Sequence, residues 1–146
     1  MYYRTPDGRM YLANFFRSQV YSAVAALKYG MDILFDKEQV AAEQFTGHGG
    51  LFKTEGVAQQ FLADALNTPV SVMKTAGEGG SWGIALLAAY MLGGNGKTLP
   101  AWLDSEVFAG MDKKTLRPEK EGTQGFVEYM KRYIAGLSAE KMLGGV

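Results

Sequence analysis

The sequence predicts a helix-rich α/β domain with a small sheet, and three observations carry that expectation. Two glycine-rich loops, Gly47-His48-Gly49-Gly50-Leu51-Phe52-Lys53-Thr54 and Ala76-Gly77-Glu78-Gly79-Gly80-Ser81-Trp82-Gly83, each lead into an apolar helical stretch. A short β-like run, Pro69 to Met73, lies between them. Elsewhere apolar residues recur at spacings of three and four, the period of amphipathic helices. Strand, glycine loop and helix in alternation are how α/β proteins build anion- and nucleotide-binding edges. The chain reads as part of a nucleotide-handling machine.

Each element has a local reason. Phe16, Val20, Ala23, Leu27, Met31 and Leu34 form one helical stripe, which predicts an amphipathic helix over Asn14 to Phe35 with Asn14 as N-cap. Val40 to Thr46 is expected to be a short, weak strand that runs into the first glycine loop, weakened by two alanines and Glu43-Gln44. Thr54 is placed to cap a second helix carrying Val57, Phe61, Ala65 and Leu66, which Asn67 and Pro69 end. Val70 and Val72 alternate with Ser71 in a strand. Ser81 to Leu92 is apolar nearly all round, the pattern of a helix buried between other elements, and Gly93-Gly94-Asn95-Gly96 stops it. Thr98 and Pro100 open a short helix through Val107. Met111 to Gln124 reads as a charged, proline-containing connection, and the last helix carries Phe126, Met130, Tyr133 and Leu137 on one face, with a frayed tail ending Gly144-Gly145-Val146. Residues 1–146 are taken as one domain, with 111–124 as the connection before the last helix.

Composition narrows the function classes. The 146 residues are 47% hydrophobic, enough for a core of their own. Fifteen basic and fifteen acidic residues cancel, so there is no electrostatic footprint for nucleic acid or an anionic membrane, and any ligand must be caught locally. The lack of cysteine excludes disulfides, thiolate metal sites and cysteine nucleophiles. Met1 to Gly8 has neither the basic start nor the apolar core of a signal peptide, and the run Ile84 to Leu92 is far shorter than the roughly 20 residues that span a bilayer. A cytoplasmic protein without membrane or nucleic-acid partners is expected.

In the first loop, glycines permit φ > 0 and close approach of a ligand to the main chain, while free N–H groups at a following helix favour phosphate. Gly49, Gly50, Leu51 and Thr54 are the candidate nucleotide contacts. The competing interpretation is a tight strand-to-helix turn that merely needs glycine. In the second loop Gly77, Gly79 and Gly83 come close to the dinucleotide fingerprint but are one residue too long, with no acidic residue in the right segment. A nicotinamide or flavin site is not expected there, and Gly83, Ala85, Ala88 and Ala89 read as close helix packing. Asn95-Gly96-Lys97-Thr98 imitates a phosphate loop, yet Met91 stands where that motif needs glycine and a helix precedes it. His48 is the only histidine, which leaves no imidazole pair for metal or relay. Lys53 is expected to be a surface lysine and Glu78 a carboxylate without a partner; no catalytic or metal-ligating residue is assigned.

These residues carry a resemblance. The run from Gly47 to Val57, then Asn67 to Val72, then Ala76 to Met91, strongly resembles the C-terminal lobe of FGGY-family carbohydrate kinases, closest to xylulokinase-like members. Asn14-Phe15-Phe16-Arg17, Tyr21-Ser22-Ala23 and Gly30 to Leu34 resemble the helix before the glycine loop in that group, so the likeness runs from about Arg4 to the end. It implies an incomplete lobe of the ribonuclease-H-like, actin-like ATPase fold, with ATP and Mg2+ as cofactors. ATP and ADP, and a sugar such as a pentulose held by another lobe, are the implied partners. By the same resemblance the loop matching Gly49-Gly50 lies against ribose and phosphates, and the helix start matching Thr54 approaches adenine.

FGGY kinases are several times longer, and their N-terminal lobe carries the Asp-Gly-Thr-type loop, the sugar pocket and the catalytic aspartate, none of which has a counterpart here. The chain is therefore expected to be a C-terminal fragment or a stand-alone remnant, inactive as a kinase by itself because phosphoryl transfer needs the whole cleft. A truncated sheet leaves an unpaired edge, which makes a homodimer an expectation. The alternative classes are a non-catalytic nucleotide-binding module and a structural or interaction domain.

Overall fold

A computed structural model describes Pro6 and residues 8–144. Met1 to Thr5, Asp7 and the tail residues Gly145-Val146, including Arg4 where the resemblance begins, lie outside the described residues. In chain order the elements are α1 (Leu12–Asp36), β1 (Phe45–Gly47), α2 (Val57–Leu66), β2 (Val70–Met73), α3 (Gly79–Gly93), α4 (Leu99–Trp102), β3 (Lys113–Leu116) and α5 (Lys120–Gly144). Short 3-10 turns at Gly50–Lys53 and Ala76–Glu78 follow β1 and β2. The sheet order is β1-β2-β3: β1 and β2 are parallel, with Thr46 opposite Ser71, and β3 runs antiparallel to β2, with Met73 opposite Lys113.

The parallel pair follows from α2, which crosses over from β1 to β2. Gln59 on α2 is buried and bonds the sheet to the helix: its Nε2 donates to the carbonyls of Val70, at 2.8 Å, and Lys114, at 2.7 Å. The core lies among α1, α2 and α5, where Tyr21, Val24, Ala25, Ala65, Phe126 and Met130 are buried and Phe61, Leu62, Tyr129 and Tyr133 pack on them. Tyr21 meets Phe61, Phe126 and Tyr129 edge-on at centroid distances of 5.5, 4.9 and 5.1 Å, the favoured geometry for aromatic quadrupoles.

Several expectations change. α1 starts at Leu12, so Asn14 lies inside it and is not its N-cap; the Asn14 amide reaches back to the Arg9 carbonyl at 3.0 Å. The buried stripe of α1 is Tyr21, Val24 and Ala25, whereas Phe16, Leu27 and Leu34 are exposed. Only Phe45 to Gly47 is strand, because Val40 to Gln44 finds no ladder partner. Thr54 closes the 3-10 turn, and the N-cap of α2 is Gly56 in the left-handed region at φ 76°. Asn67, also left-handed at φ 50°, ends α2 as expected. Thr98 occupies the N-cap position of α4 without a side-chain bond, and α4 passes into a π turn over Leu103–Val107. The 111–124 segment holds β3 and the start of α5. The largest difference is α3: none of its 15 residues is buried, although it is apolar all round.

Candidate functional site

Because β1 and β2 are adjacent and parallel, the two glycine loops leave the sheet side by side at its carboxyl end, the end where open α/β sheets place ligands. A backbone bond ties them, with the Gly49 N–H donating to the Ala76 carbonyl at 2.6 Å. Gly49 takes φ 106° and ψ 176°, a conformation open essentially to glycine alone, and its carbonyl then accepts the Phe52 N–H at 3.0 Å to close the 3-10 turn.

Close approach demands glycine at Gly47 and Gly79 and leaves little room at Gly77. A Cβ at Gly47 would stand 2.5 Å from the Phe52 ring, one at Gly79 would stand 2.9 Å from the His48 Cβ, and one at Gly77 would stand 3.1 Å from the Lys53 Cγ. The loops are thus packed through the side chains of His48 and Lys53. His48 lies parallel to Trp82 with centroids 6.5 Å apart and planes at 20°, and Trp82 in turn meets Phe108 at 6.2 Å.

Lys53 and Glu78 also bridge the loops. Their Nζ and Oε1 are 2.8 Å apart, so Glu78 has a partner, contrary to the sequence-based expectation. The hydrogen bond, and then the charge, of Lys53 hold the Glu78 carboxyl below its ordinary range; the same two causes, from Glu78, raise the Lys53 ammonium above its own.

Two cavities open at this end of the sheet. The first, about 560 Å³, is lined by the turn and helix start on one side (Phe52, Thr54, Gly56, Gln59) and by the ends of β2 and β3 on the other. The second, about 410 Å³, is bounded by Gln44, Thr46, His48, Ser71, Met73, Phe108, Met111 and Lys113. Its strand residues Thr46, Ser71, Met73 and Lys113 share one face of the sheet by register and alternation. Both volumes fall in the ordinary range of small-ligand sites, about 300–1,000 Å³.

Among the sequence candidates, Thr54 lines the first cavity, while Gly49, Gly50 and Leu51, in the turn between β1 and α2, line neither cavity. Gly50 and Leu51 are exposed, and a Cβ at Gly50 would meet nothing within 4 Å. Asn95-Gly96-Lys97-Thr98 is a turn after a helix, with Asn95 left-handed at φ 47° and the Lys97 Nζ paired to Glu106 at 2.6 Å. Sequence reasoning missed β3 and with it Lys113, which lines both cavities. Only Thr115 and Leu116 there have strand character, and the flanking charges imitate a linker.

Among the described residues no three histidine, aspartate or glutamate side chains gather to hold a metal ion, and no step is assigned to one. No helix among them is long and apolar enough to cross a membrane. The model of the C-terminal domain of the FGGY family of carbohydrate kinases matches residues 4–92, a stretch that contains both glycine loops and most of α3. No curated protein and no solved structure matches the chain. That domain implies the actin-like ATPase fold and the use of ATP; three strands with a helix-rich surround agree with part of such a lobe. The chain belongs to the FGGY family of carbohydrate kinases and carries its C-terminal domain.

Proposed function

We propose that this domain supplies the nucleotide-binding side of an ATP-dependent sugar kinase, with Gly49, Gly50, Leu51 and Thr54 against the nucleotide and a pentulose such as xylulose as the sugar. One observation carries it: the glycine loops of two adjacent parallel strands meet through the bond from Gly49 N–H to the Ala76 carbonyl, with Gly50 exposed in the turn that follows. ATP, with the Mg2+ that accompanies it, is the expected cofactor of the complete enzyme. The test is an NMR titration of the chain with ATP and an AMP control, following the amides of Gly49, Gly50 and Thr54. Saturable shifts centred there, weakened by Gly50→Val, support the assignment; an unchanged dissociation constant for Gly50→Val overturns it.

A second reading, a non-catalytic nucleotide-binding or interaction domain derived from the same fold, is favoured by α3. That helix is apolar throughout yet exposed, with Ile84 at 70%, Met91 at 84% and Leu92 at 93% of full exposure, and such surface marks a contact site. Self-association through it or through the outer edges of β1 and β3 belongs to this reading, as does residence in the cytoplasm.

A further inference from the structure

We propose that Lys113 is the anion anchor of the second cavity and holds phosphoryl oxygens of the bound nucleotide there. The inference rests on the nucleotide-binding reading above but concerns a residue beyond the family match, which ends at residue 92.

Three charge relationships support it. The other lysines around the carboxyl end of the sheet are each committed to a carboxylate: Lys53 to Glu78 at 2.8 Å, Lys74 to Asp112 at 3.3 Å and Lys114 to Glu55 at 2.7 Å. Lys113 has no carboxylate partner among the described residues. No aspartate or glutamate lines the second cavity, so Lys113 is its one fixed charge, whereas the first cavity carries Glu55 and Asp112.

The rest of the lining is suited to the same ligand. Gln44, Thr46 and His48 bring side-chain N–H and O–H groups to the rim, and Ser71 Oγ is fixed by its 2.6 Å hydrogen bond to Thr115 Oγ1, two residue pairs along the ladder from Met73 and Lys113. Phe108, Met111 and Met73 supply apolar walls. An ammonium in an acid-free cavity with hydroxyl and amide donors selects a multiply charged oxyanion. With a chain of zero net charge, attraction to that anion is local to this lysine.

The experiment is an amide NMR titration of the full chain with ADP, adenosine and inorganic pyrophosphate, for the native protein, Lys113→Gln and Lys74→Gln. Lys74 is the control: it lines the first cavity only and is already paired. We expect Lys113→Gln to weaken ADP and pyrophosphate about tenfold, as loss of one charged hydrogen bond does, with adenosine unchanged. Lys74→Gln leaves all three constants within about twofold. ADP binding that is equal in native protein and Lys113→Gln overturns the anchor and leaves the nucleotide reading standing. Pyrophosphate binding that depends on Lys113 without any ADP binding keeps the anion site and overturns the nucleotide reading. No response to either ligand overturns both.

Discussion

The carboxylate of Asp64, on α2, accepts the backbone N–H of Glu119 at 2.7 Å, at the start of α5. Asp64 is 4% exposed, and its Oδ1 also accepts the Gln60 amide at 2.9 Å. Helix starts leave unsatisfied N–H groups, and here one helix satisfies the entrance of another. Asp64→Ala is therefore expected to lower stability by about 1 kcal/mol, since it removes the acceptor of two part-buried hydrogen bonds. Asp64→Asn keeps an acceptor and should lose less. Urea unfolding of both variants checks the order, and equal losses would show that packing rather than the cap is what Asp64 contributes.

Gly122 explains itself by the same contact, because a Cβ there would collide with Asp64 Oδ2. Gly47, Gly49 and Gly50 divide likewise by physical cause. Gly47→Ala should destabilise through the Phe52 ring, which stands 2.5 Å from the new Cβ. Gly49→Ala should cost about 1–3 kcal/mol through backbone strain at φ 106°. Gly50→Ala, with open space and an ordinary φ, should leave the unfolding midpoint nearly unchanged. A midpoint drop for Gly50→Ala as large as that for Gly49→Ala would overturn this division.

The pair Lys53–Glu78 makes a pH prediction. Glu78 is depressed below its ordinary value of 4.5 by the hydrogen bond and charge of Lys53. A depressed carboxyl contributes above its ordinary value, and that contribution is lost as the pH falls through the folded value. Both side chains are exposed, so global stability moves little and the readout must be local. The Glu78 carboxyl resonance should titrate with a midpoint below 4.5, and Lys53→Met should return it to the ordinary range. An ordinary midpoint in the native protein would mean that the bridge between the glycine loops does not form in solution.

Legibility from sequence followed the range of the interactions. β2 was readable because Val70-Ser71-Val72 alternates, and the end of α2 because Asn67 tolerates the left-handed region. The buried face of α1 was not readable, since the stripe through Phe16, Leu27 and Leu34 and the stripe through Tyr21, Val24 and Ala25 are both apolar. Periodicity names a helix; α2 and α5 decide which side of it they cover. β3 is held by the Gln59 amide on the Lys114 carbonyl and by the hydroxyl pair Ser71–Thr115, partners more than forty positions away in sequence. The glycine loops were legible as loops between a strand and a helix, but their mutual bond and the Lys53–Glu78 bridge depend on the parallel register of β1 and β2.

Tyr21 is where that core can be tested. Burial raises its phenol above the ordinary value of 10, more than the nearby Arg17 lowers it. A raised acid stays protonated in the folded state after the unfolded chain has begun to ionise. Its contribution is whole below pH 10 and is lost as the pH rises through the folded value. Tyr21→Phe should remove that alkaline loss while keeping the three edge-on rings, and Tyr21→Ala should cost about 3–5 kcal/mol as large aromatic truncations do. Identical alkaline unfolding curves for native protein and Tyr21→Phe would assign the loss to other groups.

α3 gives the sharpest contrast between composition and environment. Apolar side chains that remain in water contribute no burial energy, so replacing them with charge should cost little. Met91→Lys and Leu92→Lys are expected to stay within about 0.5 kcal/mol of the native unfolding free energy at low protein concentration. Both should reduce association measured by light scattering as concentration is raised, because they break a continuous apolar surface. A larger destabilisation that grows with protein concentration would show the helix covered by a second copy, since an interface adds stability by mass action. A large destabilisation independent of concentration would instead mean that α3 packs against its own chain in solution, and the exposed helix would then be wrong.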